Sequence, residues 1–249
     1  VARAVNADVY ENWTDVSGCL MADPRIVRNP EPIRYVTYRE LRELSYMGAS
    51  VLHEDAIFPV RIAGIPTNIR NTNHPDEPGT VICYEAEDYE SEYPITGIAG
   101  HKDFAIINVE KAMMNSEIGF GRRLLQALEE QGISFEHMPS GIDTMCVVVH
   151  ESALEGKKEK LVQRIHELCT PDTEIHSGLA LIATVGRGMV RSKGISARLF
   201  NALMKAGVNV RLIDQGSSEL NIIVGVDNLD FEVATRAIYR AFVTHENRW

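Results

Sequence analysis

The sequence predicts an α/β unit followed by two α+β units, and three observations carry that expectation. First, one segment occurs twice. Residues 105–149 and 180–224 overlay at a fixed shift of 75 positions, laying Met114 on Met189, Gly119 on Gly194, Arg123 on Arg198, Leu124 on Leu199, Ala127 on Ala202, Leu128 on Leu203, Gly132 on Gly207 and Gly141 on Gly216. Second, each copy reads as strand, loop, helix and two strands. Third, the residues ahead of the copies alternate strand-like, helical and turn-rich runs.

Taken in order, the opening VARAV reads as the end of a helix and DVYENW as a strand. The first residue is Val1 and the chain opens mid-element, so a piece of a longer protein is expected. In TDVSGCLMADPRIV, Asp15, Ser17, Gly18, Asp23 and Pro24 mark a loop at a strand end, the usual place for ligand groups on an α/β scaffold. Thr37 to Glu40 is a capping box opening a helix whose apolar side is Leu41, Leu44 and Met47, closed by Gly48. A second helix is expected over 54–63, with Pro59 limiting its regularity. Ile65, Thr67 and Ile69 alternate as in a strand, NTNHPDEPGT is a loop, and VICYE is a short strand.

The acidic EAEDYESEY, residues 85–93, is the expected linker, dividing 1–84 from a first module at 94–178 and a second at 179–249. In each module the helix carries apolar residues at 120, 124, 125 and 128, or 195, 199, 200 and 203, and ends at Gly132 or Gly207. Further helices at about 153–168 and 229–243, with a closing strand TEIHSG in the first copy, give the order βαββαβ of a ferredoxin-like sandwich. The second copy lacks an apolar strand after its last helix. The spare strand near 95–99 is expected to fill that edge, which would intertwine the two modules.

The composition narrows the function. With 249 residues, 45% hydrophobic, the chain can bury cores in two or three units. A net charge of −10 argues against nucleic acid or an anionic membrane as the main partner. Cys19, Cys83, Cys146 and Cys169 show no CxxC pair and no metal spacing with histidine, so reduced thiols in a cytoplasmic protein are expected. No apolar run approaches the roughly 18 residues that span a membrane. The eight histidines show no HxxxH spacing, and there is no P-loop and no GxGxxG. No self-sufficient catalytic constellation is present, and no metal site is expected.

Two places remain as candidate sites. Each copy leads a strand through a glycine-bearing loop into a helix N-terminus, whose unpaired N–H groups suit a carboxylate. Opposite lie Ser134, Phe135 and Glu136, or Asn209, Val210 and Arg211, which could meet an ammonium group. On spacing alone the plainer reading outweighs it: the glycines let the chain turn, and βαββαβ units host many functions. The second place is Asp15, Asp23 and Arg25, where phosphate binding is the sharper reading and a capped turn the plainer one.

WTDVSGCLMADPRIV, ELRELSYMGASVLHEDAIFPV, IPTNIRNTNHPDEPGT and the paired modules ending in DQGSSELNIIVGV resemble, in order and over essentially all 249 residues, the C-terminal part of an aspartate kinase. The resemblance implies the end of an amino-acid-kinase α/β domain followed by two ACT domains. It implies ATP-dependent phosphorylation of L-aspartate with Mg2+, feedback regulation by an end-product amino acid, and a homodimer paired through the ACT domains. It places nucleotide contacts at Thr14, Asp15, Leu20, Arg25 and Ser50; Leu20 stands where some members have Tyr, and Ser50 where some have Lys. It places the effector at Met114, Asn115, Glu117, Gly119, Phe120, Gly121, Ser134, Phe135, Glu136 and Ser140, with Glu136 where an Asp can meet the effector's ammonium.

L-Lysine is the expected effector, threonine the alternative, because nothing resembling a homoserine dehydrogenase follows Trp249. Arg211 in place of Glu136 makes the second copy the expected scaffold and subunit contact. The family's KFGG motif and RGGSD-type loop do not occur in these residues, so the chain is expected to bind effector without cofactor and not to catalyse alone. The rival class is a non-catalytic amino-acid sensor.

Overall fold

The structure, a computed structural model, describes residues 1–48, 54–85 and 92–243. These fall into two compact units. One takes in the chain through His101, Ile182–Val224 and the chain from Leu229; the other is Lys102–Leu181 with Gly225–Asn228. Six residues of the expected linker (86–91), Ser50 and the polar tail 244–249 lie outside the described residues.

In the first unit, β1 (Tyr10–Thr14), β2 (Tyr35–Thr37), β3 (Thr67–Asn71) and β4 (Thr80–Cys83) form a sheet in the order β1-β3-β4-β2. β1 runs parallel to β3 from Tyr10 opposite Thr67 to Thr14 opposite Asn71. β2 runs parallel to β4, while β3 and β4 are antiparallel. The alternation seen in the sequence is the burial pattern: Thr67, Ile69 and Asn71 point inward while their neighbours are half-exposed. Val36, Ile69 and Ile82 have no exposed surface and fill the core.

Helix α1 (Tyr38–Tyr46) starts on the expected capping box. The Glu40 N–H donates to Thr37 Oγ1 at 3.2 Å, and the Thr37 N–H donates to Glu40 Oε2 at 2.9 Å. Leu41, Leu44 and Met47 are buried as their spacing requires. Helix α2 (Glu54–Ile62) runs through Pro59. The opening residues form a short 3-10 turn, Ala2–Val5, rather than a helix end.

The repeated segments supply β5 (Gly97–Glu110), α3 (Phe120–Glu130), β6 (Thr144–His150), α4 (Lys158–Cys169), β7 (Asp172–Val185), α5 (Ile195–Lys205), β8 (Leu212–Asp214), β9 (Asn221–Asp227) and α6 (Phe231–Val243). The strands make one five-stranded sheet, β6-β5-β7-β9-β8. The helices α3 and α5 stand 75 residues apart at both ends, each opened by a left-handed glycine, Gly119 at φ 78° and Gly194 at φ 83°. Gly132 and Gly207, at φ 63° and 71°, follow both helices.

Three expectations need correction. The gapless overlay ends after these helices, because β6 and β9 stand 77 residues apart, so the second copy is two residues longer there. The spare strand near 95–99 and the closing strand TEIHSG are not separate elements. Each is one end of a 14-residue strand, β5 or β7, that runs on through a single left-handed residue, Asp103 at φ 66° or Gly178 at φ 80°. Asp103 is held there by Asn228: its N–H donates to Asn228 Oδ1 at 3.2 Å, and Asn228 Nδ2 donates to Asp103 Oδ1 at 2.9 Å. Finally, the strand expected at 134–136 is a segment along β6 joined only at His137–Val148 and Ser140–Met145.

The second unit has its own core of Ile107, Val109, Phe120, Leu124, Leu128, Val147, Val149, Leu161 and Ile165, where α3 and α4 pack on β5 and β6. Two lysines close its helices: Lys157 Nζ donates to the Gln131 carbonyl after α3, and Lys111 Nζ to the Cys169 carbonyl at the end of α4. Arg164 of α4 forks onto Glu130 of α3, through Nε to Oε2 at 2.6 Å and Nη2 to Oε1 at 3.1 Å.

Candidate functional site

The loop after β1 is fixed from the sheet below it. Thr80 Oγ1 accepts from the Cys19 N–H at 2.8 Å and donates to the Ile33 carbonyl at 2.6 Å, with no exposed surface of its own. Asn71 Nδ2 donates to Ser17 Oγ at 2.9 Å. Between them Gly18 sits at φ 102°, and a Cβ there would run into the Thr80 hydroxyl and backbone, so only glycine fits. Thr14 and Asp15 follow directly on β1. Thr14 Oγ1 donates to Asp15 Oδ1 at 3.1 Å, and the Thr14 carbonyl accepts from the Thr72 N–H beyond β3 at 2.8 Å. They therefore lie at the C-terminal edge of two parallel strands, where α/β folds bind ligands.

Arg25 is placed differently from a free phosphate cation. Asp23 accepts the Arg25 backbone N–H at 2.8 Å and the guanidinium through Nε at 3.0 Å and Nη2 at 2.6 Å. The Arg25 side chain is 87% exposed and folded back on its own turn. That contact holds the Asp23 carboxyl below the usual carboxylate range. Leu20 is exposed and bridged to Pro32 at the neck of the same loop. Ser50 lies outside the described residues. Ser17 was legible as a loop residue, but Thr80 and Asn71, which hold the loop, were not, because their partners are 47 to 61 residues away. Burial raises the Cys19 thiol to about 11, against a weaker lowering by Thr80.

The expected effector residues of the first copy divide into two groups. In the loop before α3, Met114 and Phe120 are buried in the core, whereas Asn115 and Gly119 are exposed and Gly121 half-buried. The loop is tied to the turn before β6, with the Met113 N–H on Asp143 Oδ1 at 2.8 Å and the Asn115 N–H on the Ile142 carbonyl at 3.2 Å. No side chain caps α3 at Gly119. Glu117 is already paired with two cations: Lys111 Nζ lies 2.6 Å from Oε2, and Arg123 bonds Oε1. Lys111 first and Arg123 with it hold the Glu117 carboxyl below its ordinary range.

The second group runs along β6. Ser140 is bridged to Met145, whose side chain also reaches toward Gly121, so the turn and the start of α3 are neighbours. Ser134 and Phe135 are exposed. The Glu136 N–H donates to the Val148 carbonyl at 2.8 Å, which puts Glu136 three residues along β6 from Ser140, roughly 10 Å at 3.3 Å per residue. Its side chain is only 8% exposed and faces His150, with Nε2 at 3.6 Å from Oε1. The His150 ring in turn packs on Phe104, centroids 4.5 Å apart. The structure thus adds Lys111, Arg123, Asp143 and His150 to the expected set. Arg211 of the second copy is exposed, unlike the enclosed Glu136, so the two do not share an environment.

An open groove of about 770 Å³ over α4, lined by Lys158, Val162, His166 and Ile175, contains none of the expected site residues. Among the described residues no group of three His, Cys, Asp or Glu side chains is placed to hold a metal ion, and no helix is long and apolar enough to cross a membrane.

Residues 1–71 match the amino acid kinase family and residues 182–242 the ACT domain, which defines the chain as the end of a kinase unit joined to a regulatory fold. It belongs to the aspartokinases. Aspartokinase 3 of Bacillus subtilis is 42% identical over 244 residues, 97% of this chain and 53% of that protein. The crystal structure of the Clostridium acetobutylicum aspartate kinase is 57% identical, with a TM-score of 0.92 over 97% of this chain and 56% of that one. Escherichia coli aspartokinase III, solved with lysine and aspartate, shares the fold at 23% identity, with a TM-score of 0.79 over 98% of this chain and 54% of its own. This chain therefore spans about half the length of these relatives.

Proposed function

We propose that this chain is the nucleotide-side end and regulatory part of an enzyme that phosphorylates L-aspartate to 4-phospho-L-aspartate with ATP, and that lysine bound to the first βαββαβ copy regulates it. The observation that carries this reading is the collinear similarity to B. subtilis aspartokinase 3 over 97% of the chain, through both the kinase and the ACT regions. In the proposed division, residues 1–84 complete the kinase unit, 94–178 form the first ACT module with 95–99 serving the second, and 179–249 form the second.

The effector's carboxylate is assigned to the uncapped start of α3 at Gly119 to Gly121, where the helix dipole and N–H groups favour an anion. Its ammonium is assigned to Glu136. Glu117 is the poorer acceptor because Lys111 and Arg123 already neutralise it. Lysine favours this reading because E. coli aspartokinase III has been solved with it. Regulation requires that lysine bind one arrangement of the protein better than another; a 10- to 100-fold effect corresponds to about 1.4–2.7 kcal/mol of coupling.

ATP supplies the phosphoryl group. Thr14 and Asp15 are the residues here that suit it, by their place at the strand ends, while Arg25 would first have to leave Asp23. Mg2+ is assigned to no residue of this chain. With neither KFGG nor an RGGSD-type loop in its sequence, the chain is proposed to be inactive alone. A homodimer through the ACT modules and a cytoplasmic location complete the reading.

Calorimetric titration with lysine, threonine and methionine tests it: heat with lysine and none with methionine is expected. Silence toward all three overturns the effector reading, and 4-phospho-L-aspartate made by this chain alone overturns the reading of it as inactive.

A further inference from the structure

The loop that opens α5 in the second copy does something its counterpart before α3 does not. Within the first unit, the carboxylate of Glu40 has no exposed surface and gathers donors from three segments. Thr37 Oγ1 donates to Oε2 at 2.7 Å from the start of α1. Thr96 Oγ1 donates to Oε1 at 2.5 Å from the segment leading into β5. Arg187 donates its backbone N–H to Oε1 at 2.9 Å and Nη1 to Oε2 at 3.1 Å. The repeat places Ala112 at the position of Arg187, so only the second copy carries this side chain.

The backbone around the knot is equally close. The Thr96 N–H donates to the Val185 carbonyl at 2.7 Å. A Cβ on Gly186 would lie 2.7 Å from the Thr96 nitrogen, and one on Gly188 2.7 Å from the Pro94 oxygen, so both positions exclude a side chain. One turn along α1, Glu43 Oε2 accepts from Asn221 Nδ2 at 2.7 Å. The loop between β1 and β2 is attached to the same elements: the Ile98 N–H donates to the Met21 carbonyl at 2.7 Å, and the Glu31 N–H to Tyr239 Oη of α6 at 2.8 Å.

We propose that the 186–191 loop of the second copy is a clasp on α1, in which Glu40 and Arg187 join α1, residues 94–98 and that loop into one cooperative unit that opens or stays closed as a whole. A fully buried carboxylate cannot lose its cation without leaving an uncompensated charge, so partial opening of any one segment is disfavoured and the three move together. The second copy is then the coupling element to α1 rather than scaffold. This inference stands whether or not the first copy binds an amino acid, because its test uses no effector.

Native-state hydrogen exchange of this chain in low urea reads the unit directly. The amides of 38–46, 96–98 and 187–191 are expected to share one urea slope and opening constants within about threefold. Arg187→Ala is expected to raise the opening constants of 38–46 by roughly 30-fold or more, leaving the α3 and α4 amides within twofold. The double variant Glu40→Gln with Arg187→Gln, which leaves no buried charge, is expected to recover part of that loss. Loosening confined to 186–191 overturns the clasp. If Arg187→Ala loosens α3 and α4 as well, the wild-type slopes decide, and distinct slopes for 38–46 and 187–191 overturn it.

Discussion

Lys111 Nζ lies 2.6 Å from Glu117 Oε2, so the acidic residue of the glycine loop is answered by a lysine of its own chain. The same ammonium donates to the Cys169 carbonyl at 2.7 Å and stands over the Phe120 ring at 5.8 Å from its centroid. One cation thus ties the end of β5 to the loop, the start of α3 and the end of α4. Replacing it, as in Lys111→Met, removes the α4 cap and leaves Glu117 to Arg123 alone. The expected outcome is a lower melting temperature together with stronger preference for lysine over neutral amino acids, because Glu117 is then neutralised by Arg123 alone. A variant with unchanged melting and unchanged lysine preference would show that this pairing is ornamental.

Glu136 is the remaining acidic candidate, and its neighbour sets the terms. With its side chain 8% exposed and His150 at 3.6 Å, a ligand ammonium must share or displace that contact. Glu136→Ala is expected to weaken lysine binding more than threonine binding, because only lysine brings a second ammonium. His150→Ala is expected to strengthen lysine binding about threefold, by freeing the Glu136 carboxylate from a competing contact. Titration calorimetry on the two variants separates them; equal losses for both ligands in Glu136→Ala exclude a role toward the side-chain ammonium of lysine.

The turn that holds Arg25 makes an opposite expectation at the nucleotide side. In Asp23→Asn the amide oxygen still accepts the Arg25 backbone N–H, so the turn persists, while the guanidinium loses its carboxylate. Stability is expected to change little, as for exposed pairs. Binding of a nucleotide triphosphate should tighten as Arg25 becomes available. If affinity is unmoved while folding is intact, Arg25 is a turn residue only.

How much of this was legible beforehand follows the range of the interactions. The capping box at Thr37 and Glu40 and the glycines flanking α3 and α5 were readable because both partners lie within one turn of chain. The lengths of β5 and β7 were not, because Asp103 and Gly178 bend a strand that sequence punctuation suggested would stop. Glu40 shows both limits at once. Its local role as a helix cap was plain in TYRE, yet its bonds to Thr96 and Arg187 join residues 56 and 147 positions away. The glycine loop was likewise visible, while Lys111, Arg123 and His150 were hidden by the need to know which side chains the fold brings to Glu117 and Glu136.

Acid should reach Glu130 and Glu40, two of the depressed carboxyls, at different structural cost. Hydrogen bonds from Arg164 and then Gln126 lower Glu130 to about 2. Burial pushes Glu40 upward, but bonds from Thr96, the Arg187 N–H and Thr37 outweigh it and leave it below 4.5. A carboxyl depressed in the folded state contributes stability that is fully present above its unfolded value and disappears as pH falls through its folded value. For Glu130 that window runs from 4.5 down to about 2. Glu130→Gln should therefore lower stability at neutral pH and flatten its loss across this range, so that the two proteins converge toward the acid end.

Glu40→Gln should do more, since it also leaves Arg187 facing a neutral amide in a buried site; breaking one side of such a pair costs about 3–5 kcal/mol. Urea unfolding at pH 7 and at pH 4 distinguishes the two. A Glu40→Gln protein as stable as wild type at pH 7 would mean that the knot at Glu40 contributes nothing net, and that the buried carboxylate serves position alone.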